Sequence, residues 1–336
     1  VVSIRRTFVG SFLFFSVGFF SVGLAFLLLA CGGDSPTPNA SPQSEERLFY
    51  LDEAGLYETT GGERTVIVQP APRDFIFDAA ISREGTHVAL SVQMEPIQTA
   101  NGYDFGVDLY TGQQGGEVRP LVTHSRIGES MVRPNWLPGG KEIIFSAFGR
   151  NASGAADLRI ERVNTDTGAR TRLIDNATEP SLSPDAGTLA YVAIDQTTGD
   201  ELITLRDLAS GKDRPLLPPT QVMANPGNIA WSHDGTRIAF AAADPISLAL
   251  PPIGAPPASM HPNLRDVWVV NVDGSGLKRL TDLADGTLAL AWSLDGTSIY
   301  ALGDTGFWRV NSTTGVHTQI GDPVLTGRVQ VLPSNP

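Results

Sequence analysis

An all-β fold is predicted for this chain, and three observations predict it. Glycine and proline are frequent, 35 and 24 in 336 residues, and such punctuation favours many short strands joined by turns over long helices. Beyond residue 46 helical hydrophobic periodicity is hard to find. Related nine-residue segments start at residues 82, 137, 183, 232 and 293, about fifty residues apart, which is the spacing of a propeller or solenoid repeat. At four strands per repeat this predicts a six-bladed β-propeller of four-stranded antiparallel blades, closed by N- and C-terminal strands that share one blade.

The segments read SREGTHVAL (82–90), LPGGKEIIF (137–145), SPDAGTLAY (183–191), SHDGTRIAF (232–240) and SLDGTSIYA (293–301). Within each, an apolar run ends just before the segment, an Asp-Gly type of turn reverses the chain, and an alternating run such as Arg237-Ile238-Ala239-Phe240 returns. A second hairpin follows the first, as in Asp266 to Val272, the turn Asp273-Gly274-Ser275-Gly276, and Leu277 to Leu280. Similar second hairpins span 158–173 and 202–217. In the third segment Ala186 stands where the turn wants glycine, so Gly187 is expected to take the left-handed position there. Trp136, Trp231 and Trp292 stand immediately before three of the segments, with Ile81 and Leu182 at the same place in the others. A large residue at one fixed repeat position reads as packing between blades. The acids Asp185, Asp234 and Asp295 read as turn formers rather than metal ligands, because such side chains cap their own turns.

Taken with the preceding tryptophans, these segments resemble in pieces the pattern P-x-W-S-P-D-G-x-x-I-A-F of the TolB-like and WD40-like (PD40 repeat) propeller family. The resemblance covers roughly residues 47–332 and speaks to fold; it does not carry that family's particular partners to this chain. Three strands at the front (48–51, 55–59 and 65–68) and one at the back (327–332) are left over from the repeats. Paired together they complete the sixth blade and leave no exposed sheet edge, with five blades as the count if the ends pair otherwise.

The N-terminal region reads as an address. Arg5 and Arg6 precede an apolar run to Ala30 that ends Leu28-Leu29-Ala30-Cys31-Gly32-Gly33. A charged start, an apolar middle and small residues at the cut define an export leader. The cysteine after the cut resembles the lipobox of bacterial lipoproteins, which implies acylation of Cys31 and anchoring to a membrane. An uncleaved spanning helix is the competing reading of so long an apolar run. Either way the remainder lies outside the cytoplasmic membrane. Cys31 is the only cysteine, so no disulfide framework forms. The arginine pair fits both general export and a twin-arginine signal. The division predicted is therefore a signal peptide at 1–30, a lipidated Cys and a Ser/Pro-rich tether at 31–46, and the propeller at 47–336.

Charge and motifs narrow the function. A formal charge of -12 without a basic stripe excludes a nucleic-acid partner. The chain has no G-x-S-x-G, P-loop, G-x-G-x-x-G or H-E-x-x-H, and its five histidines fall singly, so neither a cofactor nor a metal is assigned. The reading is a non-catalytic binding or scaffolding module for an envelope protein or a small polar ligand. The alternative is a lactonase, lyase or hydrolase with acids, and in some cases metal, at the channel mouth.

Two places are candidates for binding. Inner strands are expected to begin near Asp78, Arg133, Glu179, Asn228 and Leu288, which sets a mixed ring of charge towards the axis on the loop-rich side; solvation by channel water is the plainer account of such a ring. Loops on one face of the propeller are short, whereas those on the other include 93–106, 147–157, 217–228 and 243–265. The last carries six prolines with Leu248, Leu250, Ile253 and Met260, either as a partner surface or as cover for blade edges.

Overall fold

The computed structural model describes residues 46–60, 62–72, 74–99, 102–243, 264–324 and 327–334, all within one compact unit, Ser44–Pro336. Residues 1–45, with Cys31, and most of the 243–265 loop lie outside the described residues, whereas Glu46, the last residue of the expected tether, is the first of β1. The strands are β1 (Glu46–Asp52), β2 (Gly55–Thr60), β3 (Glu63–Val68), β4 (Phe75–Ile81), β5 (His87–Gln93), β6 (Ile97–Thr99) and β7 (Gly102–Asp104). Next come β8 (Val107–Gln113), β9 (Val118–Val122), β10 (Ser130–Trp136), β11 (Glu142–Arg150), β12 (Ala156–Asn164) and β13 (Arg170–Asp175). They are followed by β14 (Ala177–Leu182), β15 (Thr188–Ile194), β16 (Glu201–Asp207), β17 (Asp213–Pro215), β18 (Ala224–Trp231), β19 (Arg237–Ala243), β20 (Asp266–Asn271) and β21 (Lys278–Arg279). The last are β22 (Ala289–Trp292), β23 (Ser298–Gly303), β24 (Gly306–Asn311), β25 (His317–Gly321) and β26 (Arg328–Pro333).

The expectation of six separate four-stranded antiparallel blades is corrected by the sheet topology. Four sheets are separate four-stranded antiparallel blades, ordered β26-β1-β2-β3, β14-β15-β16-β17, β18-β19-β20-β21 and β22-β23-β24-β25. The strands β4, β5 and β8 to β13 instead form one eight-stranded sheet, ordered β13-β12-β11-β10-β8-β5-β4 with β9 on β8. The joint is a parallel pairing of Ser130 with Val107. It forms because the connection from β9 to β10 runs beside the start of β8, where the Val107 N–H donates to the Glu129 carbonyl at 3.1 Å. The segment 93–106, expected as a loop, contains the two-stranded hairpin β6-β7, in which Ile97 faces Asp104 and Gln98 faces Tyr103.

The first and last strands are neighbours, with Leu48 opposite Val331 and Tyr50 opposite Val329. Apolar layers then link each group of strands to the next. One layer joins Phe49, Leu51 and Leu56 to Ile81 and Leu90; another joins Ala89 and Leu109 to Ile143 and Phe145. Further layers connect β11 to β15, β15 to β19 and β19 to β23. The last brings Leu302 and Phe307 back to Val329 and Val331, so the packing closes on itself. Buried aliphatic and aromatic side chains of this kind stabilise by about 1.5–3 kcal/mol each relative to exposure.

The tryptophans of the repeat staple neighbouring inner strands. The Trp136 indole N–H donates to the Ala80 carbonyl at 3.2 Å, Trp231 to Ser181 at 3.0 Å, and Trp292 to Ala230 at 3.1 Å. In each case the acceptor directly precedes the equivalent repeat position of the adjacent strand, which is why one residue type recurs there. Trp292 is wholly buried, whereas Trp136 and Trp231 are half-buried. In the third inner turn Ala186 itself is left-handed, at φ 55°, so the glycine shift to Gly187 does not occur. The turn is held by Asp185, whose Oδ1 accepts from Ser183 Oγ at 2.6 Å and from the Gly187 N–H at 3.0 Å.

Two substitutions test this account by chemical denaturation. Trp292→Ala is expected to cost about 3–5 kcal/mol, the range for a buried large-to-small change, and Trp136→Ala measurably less. Ala186→Gly relieves a left-handed alanine and is expected to raise stability by up to about 1 kcal/mol after the entropy of glycine is set against it; a loss would show that the turn carries no strain.

Candidate functional site

Strands β4, β10, β14, β18, β22 and β26 line a single cavity of about 350 Å³. Its walls mix alanine, isoleucine and tryptophan side chains with Arg133, Glu179, Asn228 and Arg328. The other end is framed by residues of the short inner turns, among them Pro138, Pro184 and His233. Across that end the Arg83 guanidinium donates to the Pro184 carbonyl at 2.7 Å.

The charged end is built by a repeated backbone irregularity. Arg133, Glu179 and Asn228 each sit three residues before the repeat position, and each takes a left-handed conformation, at φ 57°, 56° and 51°. The register of the inner strand shifts at these points, between Val132 and Asn135, Thr178 and Ser181, and Gly227 and Ala230. Such bulges re-aim a side chain and free an N–H from the ladder. The freed N–H groups reach the adjacent group of strands: Arg133 donates to Asp78 Oδ2 on β4 of its own sheet at 3.1 Å, and across to the neighbouring sheet Glu179 donates to Ser146 Oγ at 3.1 Å and Asn228 to Glu179 Oε2 at 2.8 Å.

Side chains complete a belt. Arg133 Nε donates to Glu179 Oε1 at 3.0 Å, and its Nη1 stands 3.5 Å from Asp78 Oδ2. Arg328 Nη1 is 3.5 Å from the other oxygen of Asp78. The order Arg328, Asp78, Arg133, Glu179 therefore alternates in sign across four inner strands. Asp78 is buried, and the other three side chains are about a fifth exposed. Burial pushes the Glu179 carboxyl up, but Arg133, the Asn228 N–H and Arg265 outweigh it and hold the group below the ordinary carboxylate range. Arg133 is raised, because the attraction of Glu179 and Asp78 exceeds the cost of burial.

The four charged or polar residues assigned to the channel by sequence, Asp78, Arg133, Glu179 and Asn228, are thus brought together. Leu248, Leu250, Ile253 and Met260 lie outside the described residues, as does Cys31. Among the described residues no group of three or more His, Cys, Asp or Glu side chains converges as a metal-binding set.

Arg265 and Gln330 were missed from sequence. Arg265 Nη2 donates to the Gly286 carbonyl at 3.0 Å, and a side chain at Gly227 would meet both Arg265 and Glu179 at 3.4 Å. Gln330 exchanges two hydrogen bonds with the backbone of Ile81, at 3.0 and 2.9 Å, tying β26 to β4. For Gln330, a polar residue within the strand expected at 327–332 was the available signal. Also unforeseen was the buried network around Arg159, which donates to Glu129, Asp157 and Glu161; Asp157, Arg159 and Glu161 stand at alternate positions of β12, but Glu129 reaches them from the connection between β9 and β10, far from them in sequence.

No family model matches this chain, and no curated protein matches it. Similarity to solved structures is in fold. TolB from Acinetobacter baumannii is 14% identical, with a TM-score of 0.59, over 87% of this chain and 67% of that one. A chain of a nidogen/laminin complex is 13% identical, with a TM-score of 0.62, over 87% of this chain and all of that one. An oligogalacturonate lyase from Vibrio parahaemolyticus is 9% identical, with a TM-score of 0.51, over 83% and 80%.

The belt has a pH signature. Because Glu179 is depressed in the folded state, its contribution is present above the ordinary glutamate range and is lost as pH falls through the lower folded value. Glu179→Gln is expected to destabilise by about 1–3 kcal/mol at pH 7, with the difference from the parent chain shrinking towards pH 3 in urea titrations. A difference constant with pH would mean that Glu179 acts through packing alone.

Proposed function

We propose that this chain is a non-catalytic binding or scaffolding propeller of the cell envelope, taking a protein segment or a small polar ligand at the charged end of its channel. The observation that carries the reading is the cavity itself: about 350 Å³, lined by apolar and polar side chains together, with charged groups held on the inner strands. Such a combination gives burial for affinity and oriented polar groups for selection. Asp78 and Glu179 spend part of their capacity holding neighbouring sheets together, which fixes their positions and that of Arg133 before any ligand arrives. Preorganisation of this kind lowers the entropy cost of binding.

The export leader and the lipobox-like end at Cys31 support anchoring through a lipid on Cys31, outside the cytoplasmic membrane. The likeness in fold to TolB agrees with an envelope setting, and that to a chain solved in the nidogen/laminin complex agrees with a propeller that meets proteins. The acidic surface disfavours nucleic acid.

Cross-linking and pull-down of the full chain from envelope extracts test the proposal. Arg328→Ala and Arg133→Ala are expected to weaken capture of the partner about tenfold or more, the effect of losing an interaction worth about 1.4 kcal/mol. Melting curves recorded alongside separate lost binding from lost folding. Cys31→Ser is expected to release the chain from the membrane fraction. Unchanged capture by both arginine variants, with the fold intact, would move the binding site off the channel.

A further inference from the structure

The hairpin β6-β7 stands beside the joint of the eight-stranded sheet and displays apolar side chains to solvent. Ile97, Tyr103 and Phe105 are each more than half exposed, as is Ile127 nearby. Tyr103 and Phe105 pack ring against ring with centroids 6.3 Å apart.

The base of this hairpin is fastened by one imidazole. Asp104, the last residue of β7, and Asp108, in β8, flank Gly106 at the spacing D-F-G-V-D. His124, from the connection between β9 and β10, lies between the two carboxylates. Its Nδ1 is 2.6 Å from Asp108 Oδ1 and its Nε2 is 3.0 Å from Asp104 Oδ2. The ring lies so close over Gly106 that a Cβ there would come within 2.6 Å of it. Asp108 Oδ1 also accepts the His124 backbone N–H at 2.7 Å. Asp104 Oδ1 accepts N–H groups from Gly106 at 3.0 Å and Gly128 at 2.9 Å.

Only the imidazolium donates from both ring nitrogens; a neutral ring must turn a lone pair towards one carboxylate. We propose that His124 is a pH-sensitive latch whose protonated form fixes the β6-β7 hairpin and whose deprotonation frees it, so that pH governs how the Tyr103 and Phe105 surface is presented. Burial opposes charge on the ring, but Asp108 and Asp104 outweigh it and raise the His124 pKa above the ordinary histidine value. The latch is therefore closed below about pH 6.5, the ordinary value, and opens as pH rises through the higher folded value. The remaining charged groups nearby are otherwise engaged. Arg126 and Glu129 on the same connection pair with each other, with Asp157 and with Arg159. Tyr110, whose phenol is pushed up by burial and by Asp108 and Asp74, stays neutral over this range.

This latch is independent of the channel reading and is tested in the full chain by two measurements made together. The His124 ring is titrated by NMR, and backbone hydrogen exchange at 97–104 is followed from pH 6 to pH 9, corrected for the intrinsic pH dependence of exchange. Protection of the hairpin is expected to fall at least tenfold in step with His124 deprotonation, while β11 and β12 stay protected. His124→Gln should show low hairpin protection at every pH and no step. Asp104→Asn, which keeps the histidine, should move the step to lower pH. The proposal is overturned if His124 titrates at or below the ordinary value, if hairpin protection ignores its titration, or if His124→Gln keeps the step. Should His124→Gln fail to fold, a step left unmoved by Asp104→Asn would overturn it equally.

Discussion

Every sheet of this protein depends on contact with the sheet before it. Strands such as β15 and β19 are apolar on both faces and must bury both, and here each group of strands packs against the next until Leu302 and Phe307 meet Val329 and Val331. The indole N–H groups of Trp136, Trp231 and Trp292 add a directional element to this non-directional packing, since each satisfies a carbonyl on the neighbouring inner strand. Closure by the pairing of β1 with β26 makes the arrangement cooperative: no sheet can be removed without exposing two apolar faces.

The same constraint shapes the channel. Inner strands that approach one another across an axis carry N–H groups freed by bulges, and buried donors need acceptors. Asp78 and Glu179 supply them. The carboxylates then require cations, which Arg133 and Arg328 provide. A belt that begins as structural compensation ends as a rigid array of alternating charge at the end of an open cavity. Satisfaction of the backbone is what orients these residues.

The joint between Val107 and Ser130 is where the regular plan gives way. It draws two four-strand groups into one eight-stranded sheet, and around it gather the Arg159 network, the Asp104–His124–Asp108 clamp and the exposed hairpin. A propeller repeat supplies a uniform scaffold, and departures from uniformity concentrate polar and apolar groups that the repeat itself does not specify. The long connections 93–106 and 122–130 are such departures.

Most strand positions, the turn acids and the packing role of the tryptophans were legible because they are local: alternation, Asp-Gly turns and a recurring position near fifty-residue spacing are written along the chain. Placement of Asp78, Arg133, Glu179 and Asn228 near one axis followed from their common repeat position. The leftover strands at the two ends pointed to their mutual pairing. Sheet separation was not legible, since the single parallel bridge that merges two groups depends on the path of a connection with no motif. Nor was Ala186 in a left-handed turn, because three hydrogen bonds around Asp185 and Ser183 outweigh a local preference. The clamp on His124 was hidden for the same kind of reason: Asp104, Asp108 and His124 look like isolated residues until β8 and the β9–β10 connection lie side by side. Sequence determined what each short stretch prefers to be; tertiary structure decided which distant polar groups share a buried space, because the free energy of pairing a buried charge exists only once the strands that bury it have packed.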